Sequence, residues 1–167
     1  MNKTTIVTGL WDIKRGELSE GWSRSYEQYL DKFAELLRID NNMIIFGDEK
    51  LRDFVFKIRS EENTQFISRD QDWFRNEFYE QIQNIRSNKD WLNRASWLAE
   101  STQARLEMYN PLVMSKPFLL NDAKLMDKFD SSHLFWLDAG ITNTVHAGYF
   151  THDRVLDKMS NIDKFSF

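Results

Sequence analysis

Cysteine is absent from the 167-residue chain, which removes disulfides, thiolate zinc sites and cysteine nucleophiles together. That fits a cytoplasmic setting without demanding one. With only 2 prolines and 6 glycines, the composition does not support a disordered linker. No apolar run approaches the roughly 18 residues of a membrane span. The start, Met1-Asn2-Lys3-Thr4-Thr5, enters a strand-like run at once and lacks a signal-peptide pattern. Positive charge is not in excess either. The net charge of −4 weighs against nonspecific nucleic-acid binding, which needs a basic surface. Walker, Gly-x-Gly-x-x-Gly and Ser–His–acid patterns are all missing, so kinase, NAD and hydrolase readings have no motif.

Aromatic residues, by contrast, are plentiful: 13 Phe, 6 Trp and 5 Tyr, enough for a large core or for covering a ligand. The length suits one domain, taken as residues 1–167. The pattern centres on His133-Leu134-Phe135-Trp136-Leu137-Asp138-Ala139-Gly140, an apolar run ending in a carboxylate and a glycine. Such a run predicts a strand buried on both faces, with Asp138 where it emerges. In open α/β sheets ligands sit outside the carboxyl ends of the strands, so Asp138 is placed either for chemistry or to cap the following turn.

Taken in order, Thr4 to Trp11 reads as a first strand closing near Thr8-Gly9. A polar loop follows to about Trp22. Ser25 and Gln28 have capping-box spacing, ahead of a helical stripe of Tyr26, Tyr29, Leu30, Phe33 and Leu37. Met43 to Phe46 predicts a second strand closed by Gly47-Asp48, then a helix with Asp48 as N-cap. Gln65 to Ser68 predicts a third strand, and Phe74, Phe78, Ile82 and Ile85 a helix behind Asp72. The Trp91–Trp97 stretch reads as core, with the alternative of an exposed ring that stacks on a sugar. Asn110-Pro111 reads as a helix cap and first position, and Pro117 as a break. The tail from Thr142 is polar, with a short helix near Val155 to Met159. Alternating strands and helices predict an α/β fold, a mostly parallel sheet covered by helices.

Several spaced motifs resemble the HtrL/YibB (WlaTC-like) family: Thr5-Ile6-Val7-Thr8-Gly9 with Trp11-Asp12-Ile13-Lys14-Arg15, Ile44-Ile45-Phe46-Gly47-Asp48, and Phe135-Trp136-Leu137-Asp138-Ala139-Gly140-Ile141. Tyr109-Asn110-Pro111 and Ser115-Lys116-Pro117 sit between them in the family's order. The resemblance implies a Rossmann-like GT-A nucleotide-sugar-binding domain. The implied activity is glycosyl transfer from a nucleotide-sugar to a surface polysaccharide, lipid-linked or other glycan acceptor, often with Mn²⁺ or Mg²⁺. Asp138 matches the first acid of the Asp-x-Asp element and is the candidate catalytic residue and metal ligand. Gly140 stands where the second acid would be.

On the same basis Thr8, Gly9, Asp12, Arg15, Asp48, Lys116 and Gly140 are candidates for nucleotide-sugar binding. Arg15 and Lys116 would contact the pyrophosphate or serve as solvated charge. Asp48 would accept from ribose or base, or only cap a helix. Thr8 and Gly9 would let the nucleotide approach closely, or simply form a turn. His133, His146 and His152 match no zinc spacing, though His146 stays open as a late metal ligand. Similar proteins extend beyond this carboxyl terminus, so the expectation includes a truncated or minimal chain completed by a C-terminal partner segment or an oligomer. The expected location is cytoplasmic, including the inner membrane face. The rival reading is a non-catalytic Rossmann-like binding or assembly module, because fold alone does not define function.

Overall fold

The computed structural model describes residues 4–76, 78–151 and 155–161. Four strands form one sheet: β1 (Thr4–Leu10), β2 (Asn42–Gly47), β3 (Thr64–Ser68) and β4 (His133–Trp136). The spatial order is β3-β2-β1-β4 and all three pairings are parallel. The chain is therefore α/β with a Rossmann-like, helix-covered sheet.

Strand alternation explains the two layers. Ile6, Met43, Ile45 and Phe66 face one side, and Val7, Ile44, Phe46 and Ile67 the other. Helix α1 (Tyr26–Leu37) covers the first face with Phe33, Leu36 and Leu37. Its start is the expected capping box: Ser25 Oγ accepts from Gln28 N–H, and Gln28 Oε1 accepts from Ser25 N–H at 2.8 Å. Helix α2 (Arg52–Phe56) adds Val55 to this face. The second face is built up further along the chain, past the short helices α3 (Tyr79–Arg86), α4 (Lys89–Leu92) and α5 (Thr102–Arg105). It is covered by α6 (Tyr109–Met126) through Leu119 and Ala123. The tail supplies α7 (Gly148–Thr151) and α8 (Val155–Met159), whose Phe150 and Leu156 return to the first face.

Some local expectations change. β4 is an edge strand with every residue only half-buried, not a strand covered on both faces. Its pairing does run on toward Asp138, since Leu137 N–H donates to the Val7 carbonyl at 2.9 Å. Asp48 makes no capping bond, and a 3₁₀ turn (Glu49–Leu51) precedes α2. Asp70 caps the turn before α3 by accepting from Trp73 N–H. Ile85 and Trp97 are exposed; Trp97 stacks on Trp22 at 6.2 Å instead of joining the core.

Proline also behaves differently. Asn110 lies inside α6, and Pro111 occupies the third helical position, where no intrahelical donor is needed. Pro117 sits mid-helix without ending it. It lies on the exposed side of the helix, while Leu119 and Ala123, both fully buried, hold the helix to the sheet.

At the amino edge of the sheet lies Arg59, 7% exposed and in no salt bridge among the described residues. It donates to the carbonyls of Leu37, Ile39, Asn41 and Asn63 and to Thr64 Oγ1, at 2.5 to 3.2 Å. Burial pushes its pKa down to about 10, which still leaves it a charged donor at neutral pH. Arg59→Met would strand four carbonyls, so a loss of about 3 kcal/mol or more is expected in urea unfolding. Arg59→Lys should recover little of it, because an ammonium cannot span the same fork of acceptors. A loss below about 1 kcal/mol would show that water replaces the guanidinium.

Candidate functional site

After β3 the chain returns across β1 to form β4 on its other side, so the strand order reverses between β1 and β4. This is the switch point at which open α/β sheets hold ligands. A cavity of about 270 Å³ opens there, near the lower end of small-molecule sites. Gly9, Leu10 and Trp11 continue β1 into it, and Trp136 with Asp138 to Gly140 continue β4. Tyr26 and Tyr29 of α1 line one wall, and Tyr109, Leu112 and Lys116 of α6 another. Arg15 and Arg24 come from the loop between β1 and α1.

Asp138 and Lys116 meet as an ion pair. Asp138 Oδ1 accepts from Lys116 Nζ at 2.6 Å and from Trp136 Nε1 at 2.7 Å, and Lys116 Nζ lies 5.9 Å from the Trp136 ring centre. One turn of α6 thus delivers a cation to the carboxylate that ends β4. Arg15 is equally fixed: Nε donates to the Trp22 carbonyl at 3.1 Å and Nη1 to the Tyr29 hydroxyl at 2.6 Å. Asp12 folds back on Lys14, accepting from its backbone N–H at 3.1 Å and its Nζ at 2.8 Å. Partial burial works against the Asp12 carboxylate, but these bonds and the Lys14 charge outweigh it and hold its pKa below the usual range. Tyr26 is pushed up to about 12 by burial and by the nearby Asp48 and Asp12 charges.

The other predicted residues divide. Gly9 and Gly140 line the cavity; Gly9 is also required for packing, and Gly140 lies close against Tyr29. A Cβ on Gly9 would lie 2.5 Å from Trp11 Cη2 and 3.0 Å from the Phe46 carbonyl oxygen; one on Gly140 would lie 3.1 Å from Tyr29 Cε1. Thr8 is fully buried in β1, its Oγ1 without a partner among the described residues, and it does not reach the cavity. Asp48 also stands outside the lining. Burial, with Asp70 and Asp12 nearby, raises its pKa against the lowering effect of Lys50.

No group of three or more His, Asp or Glu able to hold a metal occurs among the described residues. The surroundings of Asp138 are those of an ion pair, with Oδ1 already accepting twice, and not those of a preformed metal cage. His133 lies at the amino end of β4, and His146 Nδ1 accepts from Gly148 N–H at 3.0 Å. His152 lies outside the described residues.

Sequence reasoning missed Arg24 and the aromatic walls. Tyr26 and Tyr29 were legible only as a core stripe, and Arg24 carries no motif at all.

The fold defines a Rossmann-like α/β protein with a cavity at the switch point of its sheet. Residues 2–162 match the model of a family described as "Bacterial protein of unknown function (HtrL_YibB)", and the chain belongs to that family. It is 28% identical over 149 residues to Protein HtrL of Escherichia coli (strain K12), a match covering 83% of this chain and 51% of the relative. The chain thus spans about half the length of the curated relative it matches. No solved structure matches it. No helix among the described residues is long and apolar enough to cross a membrane.

The raised pKa of Asp48 carries a signed consequence. A carboxyl group that holds its proton more tightly when folded contributes stability below the unfolded value of 3.8, and loses that contribution as pH rises through the folded value. Asp48→Asn mimics the protonated form at every pH. Its melting temperature should exceed that of the wild type at neutral pH, and the gap should close on acidification below 3.8. A gap that is constant with pH would remove the electrostatic explanation.

Proposed function

We propose that the cavity binds a nucleoside-diphosphate sugar and that the chain is the donor-binding unit of a GT-A-type glycosyltransferase. The observation that carries this reading is the lining: aromatic rings beside three cations, Arg15, Arg24 and Lys116, at the sheet's switch point. Rings from Trp11, Tyr26, Tyr109 and Trp136 suit a base or the face of a sugar. The cations suit a diphosphate, whose charge grows as it leaves.

In the reaction the bond between the anomeric carbon and the diphosphate oxygen breaks, its electron pair staying on the diphosphate. An acceptor hydroxyl oxygen forms the new bond to that carbon, and its proton passes to the leaving phosphate or to solvent. Lys116 is the residue assigned to the leaving group. Asp138 is a positioning residue, holding the Lys116 ammonium at the cavity wall through the 2.6 Å contact. Arg15, held by Tyr29, offers its remaining guanidinium donors. A Mn²⁺ or Mg²⁺ ion fits this site only as a companion of the diphosphate, sharing Asp138 and keeping its waters. Acceptors of the class expected from the resemblance, a glycan or a lipid-linked sugar, complete the proposal.

The second reading, a module that binds the same ligand without transfer, is favoured by the ion pair that occupies Asp138 Oδ1. Calorimetry with uridine and other nucleoside diphosphates and their sugars, in Mn²⁺ and in EDTA, tests the donor site. Lys116→Met should weaken diphosphate binding by about 1.5–3 kcal/mol while the protein stays folded. Affinity that persists in EDTA would assign the charge to Lys116 and the arginines. Affinity confined to Mn²⁺ would give it to an ion brought by the ligand. No binding under either condition would end the nucleotide-sugar reading, and binding without sugar loss in the presence of glycan acceptors would favour the non-catalytic module.

A further inference from the structure

A second cavity, about 360 Å³, lies against the first and shares two of its residues, Arg24 and Tyr29. Its remaining lining comes from α1 and from the turn after Gly140: Gln28, Asp31, Lys32 and Asn143, with Ser23 at the loop. The volume falls within the range of small-molecule sites, roughly 300–1,000 Å³.

Its chemistry follows from which groups are already engaged. Ser23 Oγ donates to the Gly16 carbonyl, Lys32 Nζ pairs with Glu35, and the Tyr29 hydroxyl accepts from Arg15. Gln28 uses Oε1 on the helix cap, and its Nε2 has no acceptor among the described residues. Asn143 uses Nδ2 on the Gly140 carbonyl, and its Oδ1 has no donor among the described residues. The Asp31 carboxylate and the Arg24 guanidinium make no hydrogen bond or ion pair among the described residues. Among the described residues the cavity therefore offers an unpaired anion, an unpaired cation, an amide donor and an amide acceptor on a small concave surface.

A phosphate would meet the Asp31 charge, and an apolar group would strand all four. Hydroxyl groups both donate and accept, so a sugar ring satisfies the set. We propose that this cavity is a second ligand subsite, taking a hydroxyl-bearing sugar ring, and that Arg24 bridges it to the ligand of the first. The proposal rests on the nucleotide-sugar reading only for the identity of the first ligand. Under that reading the second ring is the acceptor, presented from the α1 side of the switch point. Arg24 then becomes a specificity residue: lining both cavities and unpaired among the described residues, it can donate to the diphosphate and to the ring together.

Amide NMR titrations of the full chain separate the two sites. UDP is expected to shift Gly9 to Asp12 and Asp138 to Gly140. The methyl glycosides of glucose and galactose are expected to shift Gln28, Lys32 and Asn143. Asp31→Ala should weaken glycoside binding roughly tenfold, the loss of one bond to a charged group, and leave UDP affinity unchanged. Gln28→Glu retains the capping box yet removes the free amide donor, and should act the same way. Arg24→Gln should weaken both ligands with an unchanged melting temperature.

Glycosides that perturb nothing, or only first-cavity amides, would overturn the subsite even where UDP binds. Glycoside shifts at the second cavity without any UDP response would uphold the subsite and sink the nucleotide reading. If Arg24→Gln alters the affinity of one ligand alone, its bridging role is overturned.

Discussion

A single buried guanidinium holds the end of the sheet opposite the cavity. Arg59 reaches from the segment after α2 to four carbonyls, those of Leu37 and Ile39 after α1, Asn41 before β2 and Asn63 before β3, and to Thr64 at the start of β3. These are the tight returns that feed β2 and β3 into parallel register. Parallel strands need such crossovers, and their turns leave carbonyls without partners where helices stop and strands begin. One planar donor with five N–H groups satisfies them together, which no pair of smaller side chains could do in that volume. With the amino edge bound in this way, the carboxyl edge can carry a cavity without losing register.

At that edge the charged groups fall into two kinds. Lys116 with Asp138, Arg15 with Tyr29 and Asp12 with Lys14 are pre-arranged pairs. Each cation is oriented by a neighbour, so little conformational entropy remains to be lost when an anion arrives. Arg24 and Asp31 are held by no such partner among the described residues. Fixed cations suit a ligand of constant geometry such as a diphosphate. Free ones suit a ligand whose hydroxyl pattern varies.

Tight packing also limits what the glycines can mean. Gly9 precedes Trp11, whose ring fills the space a Cβ would take and whose Nε1 donates to the Arg69 carbonyl at 2.8 Å. Close approach is needed there, but by an indole of the same chain. Gly140 stands two residues after Asp138, and a Cβ there would lie 3.1 Å from Tyr29 Cε1 and 3.2 Å from Asn143 Nδ2, so a larger residue would need those side chains to shift slightly. The departure from an Asp-x-Asp pattern leaves one carboxylate at this turn. The carboxylate that remains is matched by a lysine from α6.

Local rules written into the residues determined much of the fold. The apolar run from Met43 to Phe46, closed by Gly47, forecast a strand, the spacing of Ser25 and Gln28 forecast a cap, and the acid ending the last apolar run forecast Asp138 at the carboxyl edge of the sheet. Each depends on neighbours close in sequence. Tertiary structure alone decided what depended on distant partners. It made β4 an edge strand, because the chain crosses back over β1. It carried α6 through Pro117, because buried Leu119 and Ala123 outweigh one missing bond at solvent. It buried Thr8 in the sheet, left Asp48 outside the cavity, and brought Lys116, 22 positions away in the chain, onto Asp138. No periodicity encodes that meeting; it exists because a helix on one face of the sheet ends up beside the mouth of a strand.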